Sequence, residues 1–277
     1  MRKFCLIGHP LGHSLSPKIH TRLFELEGEK VDYSLCDIAP EELSSKYSFF
    51  DGLSGFNITI PHKMAIIDYC DELDASAKRY NSVNCIKNDG RKIGYNTDCI
   101  GFTKSIEMLG ASLKSKVLLI GCGGVGRMIA IETALEGGNL TIAVLPSDMP
   151  LAEKTVSEIR QLAPESEVNI ITIDNTALAQ AGDFDLLVNA SPVGMFPKTD
   201  AMPCSEKLLE HIGYVFDVIY NPRETLLCRT AREKGAKTMN GMAMLVLQAV
   251  AAHEIWDKAS YNEADIRKLI EDMEKLV

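Results

Sequence analysis

No stretch of this chain is long and apolar enough to cross a bilayer. The most apolar one, Met242 to Ala252, is short and contains Gln248, whereas a membrane helix needs about 20 apolar residues. No long basic run is present either, and the net charge is −9. That balance excludes nucleic acid and anionic membranes as expected partners. An anionic substrate must then be captured by local donors, against the global field. The eight cysteines (Cys5, Cys36, Cys70, Cys85, Cys99, Cys122, Cys204 and Cys228) form no CxxC pair, and several sit in apolar runs. They read as small buried hydrophobes of a reducing compartment, which predicts a cytoplasmic protein. The opening MRKFCLIGHPLGHS is not expected to be a signal peptide. His9 and Pro10 interrupt its apolar part, and no small-residue cleavage site follows. Internal repeats, low-complexity tracts and flexible linkers are absent as well.

What is present is ordinary globular composition: 277 residues, 46% hydrophobic and 24% charged. That is enough chain for one large domain or two modest ones. Apolar runs alternate with helical patterns, the βαβ signal. In the first half, strands are predicted at Phe4–Ile7, Val31–Cys36, Phe56–Ile60, Ser82–Ile86 and Lys92–Tyr95. Helices are predicted from Ser16 as N-cap with Pro17 behind it, over Glu41–Tyr47, from Pro61, and from Thr97-Asp98 to Leu109. A second register begins near Lys116. Strands are predicted at Val117–Ile120, Leu140–Leu145, Val168–Ile173, Leu186–Asn189 and Tyr214–Ile219. Such continuous apolar strands need cover on both faces, so a parallel sheet with helices on both sides is expected. The tail, Met242–Lys258 and Ala264–Leu276, reads as helix. The fold class is α/β in two domains, the second Rossmann-like.

Gly121-Cys122-Gly123-Gly124-Val125-Gly126 fits G-x-G-x-x-G, directly after a predicted strand and opening a predicted helix. Glycines let the backbone turn sharply and approach a pyrophosphate, and the helix start supplies free N–H groups. Dinucleotide binding is the expectation, against a merely tight β–α turn.

Two clusters in the first half carry chemistry. In Gly8–Pro17, Ser14 and Ser16 flank a helix start, where hydroxyls and free N–H groups suit a carboxylate, although plain capping also explains Ser16. His13 reads as a structural hydrogen-bonder rather than a metal ligand, since no other His or acid sits at metal spacing with it. In Asn57-Ile58-Thr59-Ile60-Pro61-His62-Lys63, Asn57 and Thr59 are expected on one side of a strand. Lys63 then falls in a predicted first helical turn, where the dipole lowers its pKa and suits it to acid–base work. Asp98, at a helix start after a strand end, is placed to orient such a lysine or simply to cap. Gln248 is a polar amide in an apolar helix, either paired in the core or aimed at a ligand. Tyr220 ends a predicted strand with its hydroxyl available to a cleft.

These motifs together resemble the shikimate dehydrogenase family over nearly the whole chain. Gly8–Pro17 with His20 is similar to its G-x-P-x-x-H-S-x-S-P-x-x-H opening, and Asn57–Lys63 to N-V-T-I-P-H-K. Further matches are Val83-Asn84, Gly94–Asp98 with Gly101-Phe102, the glycine turn, Asn189–Met195, Asp217–Pro222 with Thr225, and Gly241 through Gln248. The resemblance implies a substrate domain at 1–101 completed by the C-terminal residues 241–277, and a dinucleotide domain at 102–240. It implies that Lys63 and Asp98 are the catalytic pair and that Ser14 and Ser16 bind a substrate carboxylate. Thr59, Asn84, Asn96 and Gln248 would hold ring hydroxyls, with Tyr220 near the carboxylate. Gly121, Gly123, Gly124, Val125 and Gly126, then Ser147, Asp148, Ser191 and Gly241, are the residues expected at the cofactor.

The implied activity is reversible reduction of 3-dehydroshikimate to shikimate with a nicotinamide cofactor, without a metal. Quinate/shikimate or aminoshikimate dehydrogenation and a non-catalytic nucleotide-binding regulatory paralogue are the alternatives. The expected partner is a small ring acid, with monomer and homodimer both open. Two departures from the family stand out. Asn81-Ser82-Val83-Asn84-Cys85 replaces the usual G-A-V-N-T. After the second strand of the Rossmann-like half, Val144-Leu145-Pro146-Ser147-Asp148 replaces the Asn-Arg-Thr of NADP-dependent members. The family default is NADP, but Asp148 suits a free 2′-hydroxyl and repels a 2′-phosphate, although capping of the following helix also explains Asp148 or Ser147. The local sequence therefore leans toward NAD, unless a residue such as Arg127 reaches the phosphate.

Overall fold

Alternate residues of the first strand, β1 (Lys3–Gly8), serve two cores. Cys5 and Ile7 join Phe50, Phe56, Ile66 and Ile86. Phe4 and Leu6 join Phe24, Cys85 and Trp256. A strand's side chains alternate between faces, so a strand apolar throughout belongs inside a sheet covered on both sides. The computed structural model describes residues 2–12, 14–173, 178 and 183–277; His13 lies outside them. In it, β1 lies between β2 (Asp32–Asp37) and β3 (Gly55–Ile58), parallel to both. Beyond β3 come β5 (Cys85–Asn88), antiparallel to its neighbours, then β6 (Lys92–Tyr95) and the short β4 (Glu72–Leu73).

The chain divides into two units, Met1–Gly101 with Leu245–Met273 and Phe102–Met244 with Glu274–Val277. The helix Met242–Asp257 therefore returns to the first unit for most of its length. Periodicity alone leaves this choice open; packing makes it. Ala252 and Trp256 of that helix lie in the core with Phe4, Leu6 and Phe24, and the Trp256 indole N–H donates to Ile86 O at 3.0 Å. Gly55 makes room for it, since a Cβ there would lie 2.6 Å from Trp256 Nε1. His20 and His253 are buried in the same region, 3.0 Å apart, with His253 against Glu27. Burial holds His20 well below the usual imidazole range, and both rings are structural.

The second unit holds β7 (Lys116–Ile120), β8 (Asn139–Val144), β9 (Val168–Thr172), β10 (Leu186–Asn189), β11 (Tyr214–Asp217) and β12 (Lys237–Met239). All are parallel, in the order β12-β11-β10-β7-β8-β9. From β7 the chain winds outward one way, then returns and winds the other way. That is the doubly wound dinucleotide-binding order, with its switch point between β7 and β10.

Several predicted boundaries move. The helix expected at Glu41–Tyr47 is a 3-10 turn, Pro40–Lys46, followed by one α-turn at Tyr47–Phe50. The strand expected to run to Ile60 stops at Ile58, because the chain folds back there and the His62 N–H closes onto Thr59 O. The strand expected to run to Ile219 stops at Asp217, whose carboxylate takes the Ile219 N–H. Asn81 explains one family departure: it sits at φ 48° in the left-handed region and closes the helix Ala75–Tyr80. Asn is the residue that best substitutes for glycine in such a C-terminal cap.

Gly241 has a packing requirement of its own. A Cβ there would lie 1.9 Å from Val218 O and 2.6 Å from Val218 C. Gly241→Ala is expected to cost about 1–3 kcal/mol by overpacking against rigid backbone. A denaturant midpoint unchanged from wild type would contradict this.

Candidate active site

One edge of the first sheet gathers the polar residues. β1, β2, β3 and β6 end there, and antiparallel β5 begins there. Lys63 follows β3, Asn84 precedes β5, and Asp98 follows β6. Lys63 Nζ lies 2.7 Å from Asp98 Oδ2, with both side chains largely but not wholly covered.

Lys63 is not in the helical turn that its sequence context predicts. Pro61–Met64 is a turn, and only a five-residue 3-10 helix, Ala65–Tyr69, follows. The lysine opens no helix of its own; its ammonium is bonded to the carboxylate of Asp98, the first residue of the helix Asp98–Leu109. The lysine backbone is fixed instead through Val83, whose N–H donates to Lys63 O at 2.8 Å.

Asn84 is the centre of the cluster. Its Oδ1 accepts the Thr97 N–H at 2.7 Å, which fixes the orientation of the amide. Its Nδ2 then faces Asp98 Oδ1 at 2.9 Å, Thr97 Oγ1 at 3.0 Å and Gln248 Oε1 at 3.0 Å. Two N–H hydrogens serve three acceptors, so a polar ligand can replace one of them without stranding a donor. Asp98 is thereby held at both oxygens, by Lys63 and by Asn84. Thr97, buried and doubly bonded to Asn84, is a positioning group that the sequence marks only as a helix start.

Asn96 has a positioning role beside its expected one. Its Oδ1 accepts the Asp98 N–H at 3.1 Å, and its Nδ2 donates to Ser82 O at 3.1 Å. One bond at each end of this buried amide thus caps the helix Asp98–Leu109 and ties down the 81–84 segment. Thr59 is half-buried beside this edge, its N–H on Ile7 O.

Ser14 and Ser16 lie half-buried at the start of the helix Ser16–Leu26. Ser16 is not the N-cap: it is the first helical residue, and Leu15 holds the cap position without a side-chain bond. The Ser16 N–H donates to Ser14 Oγ at 3.2 Å. The loop before them is pinned by Asp37, whose carboxylate accepts the Leu11 N–H at 2.8 Å and meets His9 Nδ1 at 2.7 Å. These bonds hold its carboxyl below the usual range. Nothing in the sequence marks Asp37; it matters because sheet register places it beside Gly8.

In the second unit, Gly121 directly follows β7 at φ +90°. A Cβ there would lie 3.0 Å from Ser191 N, so only glycine suits this turn. Gly123 is the N-cap of the helix Gly124–Leu135, with Val125 and Gly126 in its first turn. Cβ atoms at Gly123 or Gly124 would meet nothing within 4 Å. A ligand phosphate can therefore approach the free N–H groups closely. These residues fit a dinucleotide.

At the end of β8, Leu145 and Ser147 are exposed and Asp148 is half-exposed. Asp148 holds the N-cap position of the helix Met149–Leu162 but makes no side-chain cap bond; Ser147 Oγ donates to it at 3.2 Å. The carboxylate is thus not consumed by capping. Arg127 donates to Glu158 at 2.6 Å, so reaching a phosphate would break an ion pair. Ser191 donates both N–H and O–H to Asn189 Oδ1. Tyr220, past the end of β11, is 38% exposed.

All eight cysteines are free thiols, six of them buried. Among the described residues, no group of three His, Cys, Asp or Glu side chains is placed to hold a metal ion. No helix among them is long and apolar enough to cross a membrane.

Comparison with known proteins agrees with this geometry. Residues 6–86 match the family model for the shikimate dehydrogenase substrate binding domain. The chain is 38% identical over 275 residues to shikimate dehydrogenase (NADP(+)) of Shouchella clausii, covering 97% of this chain and 98% of that protein. A crystal structure of a shikimate dehydrogenase in complex with NADP+ superposes with a TM-score of 0.86 at 35% identity, covering 99% of this chain and 96% of that one. Shikimate 5-dehydrogenase from Listeria monocytogenes, in complex with shikimate and NAD, gives 0.88 at 28% identity, with 99% and 96% covered. With an identity of this size over nearly its full length, the chain belongs to the shikimate dehydrogenase family.

Proposed function

We propose that this chain reversibly reduces 3-dehydroshikimate to shikimate with a nicotinamide cofactor, in the cytoplasm. The observation that carries the reading is the 2.7 Å Lys63–Asp98 pair, set at a donor-rich sheet edge in a chain of this family. The first unit is the substrate domain and the second the dinucleotide domain. When bound, the nicotinamide supplies or accepts a hydride at a ring carbon. This chain's residues supply the rest. Lys63 gives a proton to the oxygen at that carbon during reduction and takes it back during oxidation. Asp98 keeps the ammonium oriented and offers its second oxygen to a ring hydroxyl. Asn84, Gln248 and Thr59 hold the remaining hydroxyls. Asn96 acts indirectly, by fixing the Asp98 backbone.

Ser14 and Ser16 grip the carboxylate. Changing either to Ala is expected to raise KM for shikimate about tenfold, the worth of one hydrogen bond to a charged group, with kcat moved much less. A kcat loss at unchanged KM would place them elsewhere in the mechanism.

For the cofactor, the finer reading is a weakened preference for NADP, because Asp148 accepts a hydrogen bond from a free ribose 2′-hydroxyl and repels a 2′-phosphate. The support is local chemistry: an uncapped carboxylate and an exposed leucine occupy the end of β8, and Arg127 is paired with Glu158.

A further inference from the structure

Asp217 is a wholly buried carboxylate that the mechanism does not use. It is the last residue of β11. Its Oδ1 accepts the Asn189 amide at 3.0 Å and the Ile219 N–H at 3.1 Å, and its Oδ2 accepts the Thr225 hydroxyl at 2.7 Å. All three of these donors are neutral, and burial pushes the carboxyl up to about 6. A buried acid without a cation is costly, so a reason is needed for its presence.

The reason lies in what the three donors anchor. Asn189 is the last residue of β10, and its Oδ1 takes the N–H and hydroxyl of Ser191 at 3.1 and 2.7 Å. The Ser191 hydroxyl in turn accepts the Val193 N–H at 3.3 Å. The 190–194 loop therefore hangs from the Asn189 side chain. Thr225 caps the helix Leu226–Glu233 through the Cys228 N–H. The 218–224 segment, which carries Tyr220, is thus closed at one end by Asp217 and at the other by the residue Asp217 binds. A carboxylate can accept from both loops at once with two oxygens; an apolar residue can accept from neither.

In a doubly wound sheet the glycine turn and the end of the second strand hold the adenosine half of a dinucleotide. Those are the ends of β7 and β8 here. The other half must lie across the switch point, over the ends of β10 and β11. The 190–194 loop already touches the glycine turn, as the tight Gly121–Ser191 approach records. We propose that Asp217 is a positioning residue for the nicotinamide half of the cofactor site, acting through Asn189 and Thr225 on the loops that follow β10 and β11. The proposal rests on the dinucleotide reading given above.

The test is calorimetric titration of the full chain with NAD and with ADP-ribose, which lacks the nicotinamide, and likewise with NADP and 2′-phospho-ADP-ribose. Asp217→Ala should weaken the whole dinucleotide about tenfold, as one or two lost hydrogen bonds would, and leave the fragment within about twofold. Asp217→Asn, which keeps the acceptor toward Asn189, should stay within about threefold of wild type for both. If Asp217→Ala fails to fold, Thr225→Val, which removes one of the three donors, must show the same split between dinucleotide and fragment. Equal weakening of both ligands, or an unchanged dinucleotide affinity, overturns the proposal. A wild-type chain that binds none of the four overturns the dinucleotide reading itself.

Discussion

Lys63→Ala is expected to lower kcat by about 10²–10⁴-fold, and Asp98→Ala by a similar factor, the usual worth of positioned acid–base groups. The double variant should cost far less than the product of the two. Lys63 Nζ and Asp98 Oδ2 are 2.7 Å apart, so either change dismantles the same unit, and groups that act as a unit are not additive. Removing Asp98 also frees the Asn84 amide, which bonds its other oxygen at 2.9 Å, so some increase in KM should accompany the loss in kcat. Steady-state kinetics of the three variants, with thermal unfolding as a check on folding, decide the matter. Multiplicative losses, or a near-normal Lys63→Ala enzyme, would refute the pairing.

The ratio of kcat/KM for NADP to that for NAD, at fixed shikimate, is expected to fall below about 100, equivalent to less than roughly 2.7 kcal/mol of discrimination. A 2′-phosphate is normally gripped by a planar guanidinium at the end of the second strand. Here that place offers Leu145, Ser147 and Asp148. Asp148 makes no side-chain cap bond to its helix, so its charge is available to a 2′-hydroxyl and opposed to a phosphate. Asp148→Ala should raise efficiency with NADP about tenfold and lower it with NAD, the size expected when one charge-assisted interaction is exchanged for relief of repulsion. Leu145→Arg, which restores a guanidinium near its usual place, should move the ratio further the same way. A wild-type ratio above about 100, or no response to Asp148→Ala, would mean that the phosphate finds its partner elsewhere.

The sheets and most helices are legible in the sequence because their signals are local and strong. Leu186–Asn189 is a four-residue apolar strand with identical bounds in sequence and structure. The glycine turn is readable for the same reason: one short segment carries both the positive φ at Gly121 and the helix start at Gly123. Errors gather where side chains compete for backbone partners. Ser14, not Ser16, bonds the first N–H of its helix, and Asp217 ends its strand two residues early by taking the Ile219 N–H. Lys63 is the instructive case. Pro61 looks like a helix start, but the chain closes a turn on Thr59, and what surrounds the lysine is a carboxylate 35 positions away. No periodicity reports a pair at that separation. The same holds for Asn84 and Gln248, 164 positions apart and 3.0 Å in contact. Gln248 is visible as a polar amide in an apolar helix and Asn84 only through the family resemblance, and only the fold brings them together. Asp37 gives no sequence signal at all, since it acts through register opposite Gly8.

The central claim is tested most directly by turnover of the purified chain with shikimate and with quinate, each with NAD and NADP, alongside binding of both nucleotides. The account predicts nucleotide reduction with shikimate that falls about 10²–10⁴-fold in Lys63→Ala while dinucleotide binding survives. Dinucleotide binding without turnover of either ring acid, in a wild-type chain with Lys63 and Asp98 intact, would contradict it.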